Sequence, residues 1–331
     1  MSRSESALDT AILTALRQAE EGSVSGADLA QRLQVTRAAV WARIEALRAL
    51  GFEIEASPHH GYRLLSSPDR LYADDLKSRL GDTAVVGREI RVFQETNSTN
   101  DLADRLARDG VAEGTVVFAE KQNRGRGRMG RMWASPAGLG LWLSVVLRPR
   151  LAPQAATQLT IAAATAVRRA IHQITSLEPD IKWPNDLLLE GRKTAGILTE
   201  MGAELDKIKY VIIGIGVNVN LETTDFPPEL RRVATSLRQA LGRPIHRPEL
   251  AAALLRELDV DYARVCSGRF EEVAEEWSSH CRTLGQKVTI LQGERRIEGR
   301  AESLDQDGAL LLRNARGRLE RIIGGDVMLD S

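Results

Sequence analysis

Residues 123–133 read NRGRGRMGRMW, with Gly125, Gly127 and Gly130 in the G-x-G-x-x-G spacing of a dinucleotide-binding turn. Such a turn opens a helix whose N-terminus faces a pyrophosphate, and it would make the fold a doubly wound parallel sheet. The next residues read MWASPAGLGLW, in which Pro136, Gly138 and Gly140 would break any helix. The acidic residue expected about 20 positions on is also missing, because that region reads VVLRPRLA. The chain contains no Gly-Lys dipeptide, so a Walker A loop is excluded as well. What remains is a loop in which Arg124, Arg126, Arg128 and Arg131 alternate with glycines. Glycine lets backbone approach closely, and guanidinium forks bind carboxylate or phosphate in bidentate fashion. The loop therefore suits an anion that is covered and later released; a solvated basic loop is the plainer alternative.

Two stretches nearby bear on that choice. KWPND at 182–186 ends a strand-like run at a pre-proline turn, which sets Lys182 at a strand edge. A lysine there can serve as a point charge between a carboxylate and a phosphate, although a single lysine is usually a surface residue. ETNSTN at 95–100 gathers hydroxyl and amide groups, and equally fits an N-cap for a helix at DLADRLA.

Towards the N-terminus, Ile12, Leu16 and Ala19 recur at helical spacing, and Ser25 and Asp28 occupy capping-box positions ahead of Leu29 and Leu33. Thr36 can cap a third helix with Val40, Ile44 and Leu47 as its buried stripe and Gly51 as its stop. Arg37, Trp41 and Arg48 fall off that stripe. FEIEA and YRLL around the turn SPHHG complete a hairpin, so residues 1–66 read as a winged helix-turn-helix. Its third helix would enter a major groove, with Arg37, Trp41 and Arg43 as candidate DNA contacts. The block holds seven Lys/Arg and eight Asp/Glu, which weakens the electrostatic footprint of a DNA binder and keeps open a plain helical interaction domain. SSPDR at 66–70 reads as a linker.

Towards the C-terminus, TVVFAE, LWLSVVL, IKWPNDLLL, TAGILTE and YVIIGIGVNV read as strands, and QAATQLTIAAATAVRRAI as a helix. Residues 67–281 thus form a mixed α/β domain. From 282 to 331, QKVTIL, RRIEGRAESL, ALLLR and RIIGGDV alternate with polar turns, as in a small β-barrel.

Composition sets the outer limits. Hydrophobic residues are 43% and charged residues 27% of the 331, as in a globular multidomain α+β chain. No apolar run reaches the roughly 18 residues of a membrane span, and the first twenty residues lack a signal-peptide pattern. The formal net charge of zero argues neither for nor against a polyanionic partner. Cys266 and Cys281 form no C-x-x-C, and His280 beside Cys281 has no partner motif; reduced thiols in the cytoplasm are expected, and no protein metal site.

In combination, the order NSTN, RGRGRMGRMW, KWPND, KTAGIL, GIGVNVN resembles the biotin protein ligases. The N-terminal block resembles the winged helix of the bifunctional members, which also repress biotin-synthesis genes, and the C-terminal block resembles their small SH3-like β domain. The resemblance implies that biotin and MgATP give biotinyl-5′-AMP, whose acyl group passes to a lysine of a biotin carboxyl carrier protein, an acetyl-CoA carboxylase subunit. Lys182, Arg126 and Arg128 match the catalytic cations, and Gly127 belongs to the same closing loop. Ser98, Thr99, Asn100 and Gln122 match positions lining the biotin head, while Trp133 and Asn218 match the nucleotide end. The resemblance further implies operator DNA as a partner and a homodimer when biotinyl-AMP is bound. Met129 and Met132 stand where relatives carry more basic residues, and Trp41 stands where a polar side chain is expected on a DNA-facing helix. Rival readings are a lipoate-type acyl ligase, a biotin-sensing repressor without catalysis, and a ligase without repression.

Overall fold

Capping and stripe signals place the N-terminal helices where the sequence puts them. The computed structural model describes residues 3–19, 22–57, 60–204 and 207–329, and divides the chain into two units, Met1–Asp82 and Thr83–Ser331.

The first unit contains α1 (Arg3–Gln18), α2 (Gly26–Arg32), α3 (Arg37–Ala49), β1 (Glu53–Ser57), β2 (Gly61–Ser66) and α4 (Ala73–Leu80). Ser25 Oγ accepts from the backbone N–H of Ala27 and Asp28, and Thr36 Oγ1 accepts from that of Ala39 at 3.1 Å, so each hydroxyl satisfies orphan donors of the helix it starts. Val40, Ile44 and Leu47 bury against Ile12, Leu16 and Leu29 in one core. β1 and β2 pair antiparallel, closing a winged helix-turn-helix; Pro58 and His59 of the intervening turn lie outside the described residues. The linker expected at 66–70 does not end this unit. α4 follows it and packs on α1, where the buried Asp75 carboxylate pairs with Arg17 and, at 3.0 Å, with Arg79.

The second unit begins with β3 (Glu89–Thr96), α5 (Thr99–Arg108), β4 (Thr115–Gln122), β5 (Gly140–Leu147) and α6 (Ala156–Thr175). It continues with β6 (Asp180–Lys182), β7 (Asp186–Leu189), β8 (Arg192–Glu204), β9 (Lys207–Asn218), α7 (Leu237–Leu241), α8 (Arg247–Cys266) and α9 (Phe270–Ser279). The seven strands lie in the order β3-β4-β5-β9-β8-β7-β6; only β3 and β4, joined through α5, run parallel. Ala103 and Ala107 of α5 pack on Val117, Val146 and Ile212 of one sheet face. Thr160 of α6 meets Thr199 of β8 at 2.8 Å, whereas the adjacent Glu200 reaches Asn100 of α5. Successive strand residues point to opposite faces, so α6 covers the other side. α8 and α9 pack against α6.

Two strand readings are corrected. IKWPNDLLL is not one strand: β6 and β7 pair antiparallel (Lys182 opposite Asp186) across the turn Trp183–Asn185, where Pro184 has no N–H to give a ladder. RIIGGDV is also split. The C-terminal sheet comprises β10 (Lys287–Gln292), β11 (Arg295–Leu304), β12 (Leu310–Arg313), β13 (Leu319–Ile322) and β14 (Asp326–Leu329), all antiparallel in the order β13-β12-β11-β10-β14. Gly325, at φ +147°, turns the chain from one sheet edge to the other, and a Cβ there would meet Ile290 at 2.5 Å. Among the described residues, no helix is long and apolar enough to cross a membrane.

Candidate active site

The second unit holds a cavity of about 690 Å³ beside the N-terminal end of α5. Its floor is made by β8 and β9, where Gly196 and Leu198, and Gly214, Gly216 and Asn218, recur with the period of two that puts them on one face. Ser98, Thr99, Asn100, Gln122, Arg126, Gly127, Arg128, Trp133, Lys182 and Asn218 all line this space. Residues from four separated stretches of sequence thus meet in one place.

At one end, the α5 N-terminus supplies a polar wall. Ser98 is the N-cap residue, but its hydroxyl accepts no cap bond, and the residue lines the cavity. Thr99 is held by Gln122, whose Oε1 accepts from Thr99 N at 2.8 Å and Oγ1 at 3.1 Å, while Gln122 Nε2 donates to Ser135 Oγ at 2.8 Å. Ser144 Oγ lies 2.8 Å from Thr99 Oγ1 and 2.6 Å from Asn100 Oδ1. Asn100 donates from Nδ2 to Glu200 at 2.8 Å. Gly214 makes room for this amide, since a Cβ there would lie 2.0 Å from Asn100 Oδ1. These fixed donors and acceptors suit a polar ring in an otherwise apolar site.

Cations gather around the same cavity. Lys182 ends β6, and its ammonium makes no hydrogen bond or ion pair with any described residue. Arg128 donates to Asn185 Oδ1 at 3.1 Å and reaches the Gly325 carbonyl at 3.5 Å; burial holds its guanidinium below the ordinary arginine value. Arg131 pairs with Asp326, so the C-terminal sheet closes one rim of the cavity around the arginine–glycine loop. Arg126 Nη2 pairs with Glu200 and, at 3.0 Å, with Asp101. The Trp133 indole lies over Gly196 and Gly216, where an added Cβ would approach it to 2.8 and 2.7 Å. Lys193 sits 5.1 Å above the ring and pairs with Asp186 at 2.6 Å. Asn218 donates to Thr235 O at 3.1 Å, fixing the segment that lines the cavity beyond Trp133.

Three family models match this chain: an HTH domain over residues 9–63, the biotin/lipoate A/B protein ligase family over 92–218, and the biotin protein ligase C terminal domain over 283–330. The bifunctional ligase/repressor BirA of Bacillus subtilis (strain 168) is 39% identical over 312 residues, covering 94% of this chain and 95% of that protein. The chain belongs to the BirA family. BirA of Escherichia coli (strain K12) is 31% identical over 315 residues, covering 93% of each chain. The biotin protein ligase from Aquifex aeolicus in complex with biotin and ATP matches at TM-score 0.62 and 31% identity, over 73% of this chain and 99% of that one. As in BirA relatives, the matched segments span both units of the chain.

Within the BirA-family winged helix, Arg37 and Trp41 are exposed on α3. Arg43 is a correction. Its Nε and Nη2 hold the buried Asp9 carboxylate at 2.7 and 2.5 Å, so it fastens α3 to α1 instead of facing outward. The reading of Arg43 as a DNA contact misses this, because Asp9 pulls the side chain inward from another helix. Sequence reasoning also passed over Glu200, Asp101, Asn185, Lys193 and Asp326. The strand face of Glu200 was within reach, since it follows Gly196 and Leu198 at the same period of two, but its partner Arg126 was not. The two cysteines are unpaired, and no cluster of three metal-ligating side chains occurs among the described residues.

Proposed function

We propose that this chain joins biotin to ATP, forming biotinyl-5′-AMP and pyrophosphate, and passes the biotinyl group to a lysine of a biotin carboxyl carrier protein. The observation that carries this reading is the meeting of Lys182, unpaired among the described residues, with Arg126, Arg128 and the α5 polar wall in one cavity. Adenylation brings a carboxylate up to the α-phosphorus while the bond to pyrophosphate breaks, so fixed cations are needed where negative charge accumulates. Lys182 and Arg128 supply them, and the polar wall of Ser98, Thr99, Asn100 and Gln122 suits the biotin ureido ring. Mg²⁺ would enter with ATP, held chiefly by phosphates; the cavity carboxylates Asp186 and Asp326 are each paired with a cation. In the second step the carrier amine attacks the acyl carbon, loses a proton and displaces AMP. Incubation with labelled biotin, MgATP and a carrier domain, with lipoate as competitor, tests the reading; label that lipoate displaces would overturn it.

The loop has a further expected role. Arg128 spans from the loop to Asn185 and to Gly325 of the C-terminal sheet. Without that bridge a reactive anhydride is poorly shielded from water and from stray amines. Arg128→Gly is expected to retain part of the activity while biotin appears on bystander lysines. A bystander-to-carrier ratio equal to that of the wild type would remove the shielding role.

The N-terminal unit makes the chain a repressor as well, with α3 in the major groove and Arg37 and Trp41 as the residues facing DNA. We take this domain to residue 82, because α4 packs on α1, and set the ligase domain at 83–281 and the β domain at 282–331. One near-neutral winged helix neutralises few phosphates, so a two-fold dimer reading a palindrome fits better. Ordering of the cavity loops by biotinyl-AMP would favour that dimer, and linkage makes operator DNA tighten it in turn. Free thiols fit a cytoplasmic protein. Gel shifts on DNA upstream of a biotin-synthesis gene are expected to need biotin and ATP together and to steepen with protein concentration. Arg37→Ala should weaken the shift and spare carrier biotinylation; Arg43→Ala should instead unsettle the N-terminal unit. A shift indifferent to the ligands would leave a ligase without regulated repression.

A further inference from the structure

Glu200 touches the cavity wall without lining the cavity. From the floor strand β8, its Oε2 accepts from Asn100 Nδ2 at 2.8 Å and from Arg126 Nη2, one partner on the α5 wall and the other on the arginine–glycine loop. We propose that Glu200 of β8 is a positioning residue that tethers the loop at Arg126 to the floor, so that part of the ordering the loop undergoes with its ligand is already in place when the substrate anion arrives. The proposal rests on the ligase reading and adds a residue to it.

The hydrogen-bond inventory supports this direction. Asn100 spends both amide protons, one on Leu198 O at 3.3 Å and one on Glu200, and its oxygen accepts from Ser144. The hydrogen bonds Ser144–Asn100–Glu200 therefore run with each donor pointing towards the carboxylate, and such a chain polarises its members cooperatively. At the loop end, Glu200 and Asp101 both engage Nη2 of Arg126. Nη1 and Nε of Arg126, with three further N–H groups, have no partner among the described residues. The carboxylates thus hold one corner of the guanidinium and leave the rest for a carboxylate or phosphate. Were they simply competing with substrate, the whole guanidinium would be engaged. Asp101 alone cannot substitute, because it makes no hydrogen bond to the Asn100 amide.

Hydrogen exchange on the ligand-free full chain reads the loop directly. Its reporters are the amides of Gly127 and Trp133, which donate to Arg131 O at 2.7 Å and Gly125 O at 2.8 Å. Glu200→Gln keeps an oxygen for Asn100 but removes the charge that holds Arg126. Loop exchange is expected to quicken about five- to tenfold, the low end for a charged hydrogen bond that is more than a third exposed. Exchange along β8 and β9 should stay unchanged, and biotin affinity should fall about tenfold as binding bears the cost of ordering the loop. In an Arg126→Ala background the same change should leave loop exchange where it was. Wild-type loop exchange in Glu200→Gln overturns the proposal, and so does tighter biotin binding, which would make the carboxylate a competitor. A wild type that binds no biotin defeats the ligase reading instead, while the exchange comparison still decides the role of Glu200. Should Glu200→Ala fail to fold, the Gln variant carries the test.

Discussion

Lys182→Ala is expected to cut the rate of biotinyl-adenylate formation by roughly 10² to 10³, the scale of removing one preorganised group that stabilises transition-state charge. The ammonium stands at the end of β6 in the cavity without a partner among the described residues, so its charge is held ready for a ligand and not for the fold. For the same reason the substitution orphans no counter-charge, and the melting behaviour should match the wild type. Biotin affinity should fall much less than the rate, because the α5 wall with Ser98, Thr99 and Asn100 is untouched. An interaction made mainly in the transition state lowers the rate more than ground-state binding. Pyrophosphate release measured beside equilibrium biotin binding separates the two. Equal losses in both would make Lys182 a binding residue only, and unchanged release would remove it from the chemistry.

That expectation could be read from KWPND because proline punctuates a strand edge in one dimension. The same holds for the winged helix, where caps at Ser25 and Thr36 and a stripe through Val40, Ile44 and Leu47 are local signals that the structure repeats. Local signals also explain the errors. IKWPNDLLL and RIIGGDV looked continuous because apolar character does not reveal where a ladder breaks; Pro184 and Gly325 break them. Arg43 looked like a surface cation because its partner, Asp9, lies 34 positions earlier on another helix. Glu200 and Asp326 escaped for a related reason. Each acquires its role by meeting an arginine of a loop far away in sequence, and no periodicity encodes that meeting. Even so, Gly214, Gly216 and Asn218 carried a readable hint, since glycines two apart in a strand mark a close approach. The approach is made by Asn100 at the first and Trp133 at the second.

The pair least visible in the sequence is expected to matter most for stability. Arg247, at the start of α8, is 1% exposed, and Glu120 of β4 is 6% exposed; Nη1 donates to the carboxylate at 2.7 Å and to Gly140 O at 3.3 Å. A buried guanidinium deprived of its counter-charge has no water to turn to. Glu120→Ala should therefore cost about 3–5 kcal/mol, as breaking a buried pair typically does. In a unit of this size that lowers the melting transition by on the order of 10 °C. Arg247→Met removes the cation that donates to the buried Glu120 carboxylate and should cost a similar amount. Removing both should recover much of the loss, because the pair's own attraction is offset by the desolvation of its members. The effect should reach the site as well. Glu120 lies two residues before Gln122, the side chain that holds Thr99 in the biotin wall. Biotin affinity should fall in each single variant and return in the double one, tracking stability across the series. Calorimetry of the Thr83–Ser331 transition with biotin titrations on the same three proteins decides it. Additive losses in the double variant would mean that Arg247 and Glu120 serve different partners, and that the ion pair between them does not hold α8 to the sheet.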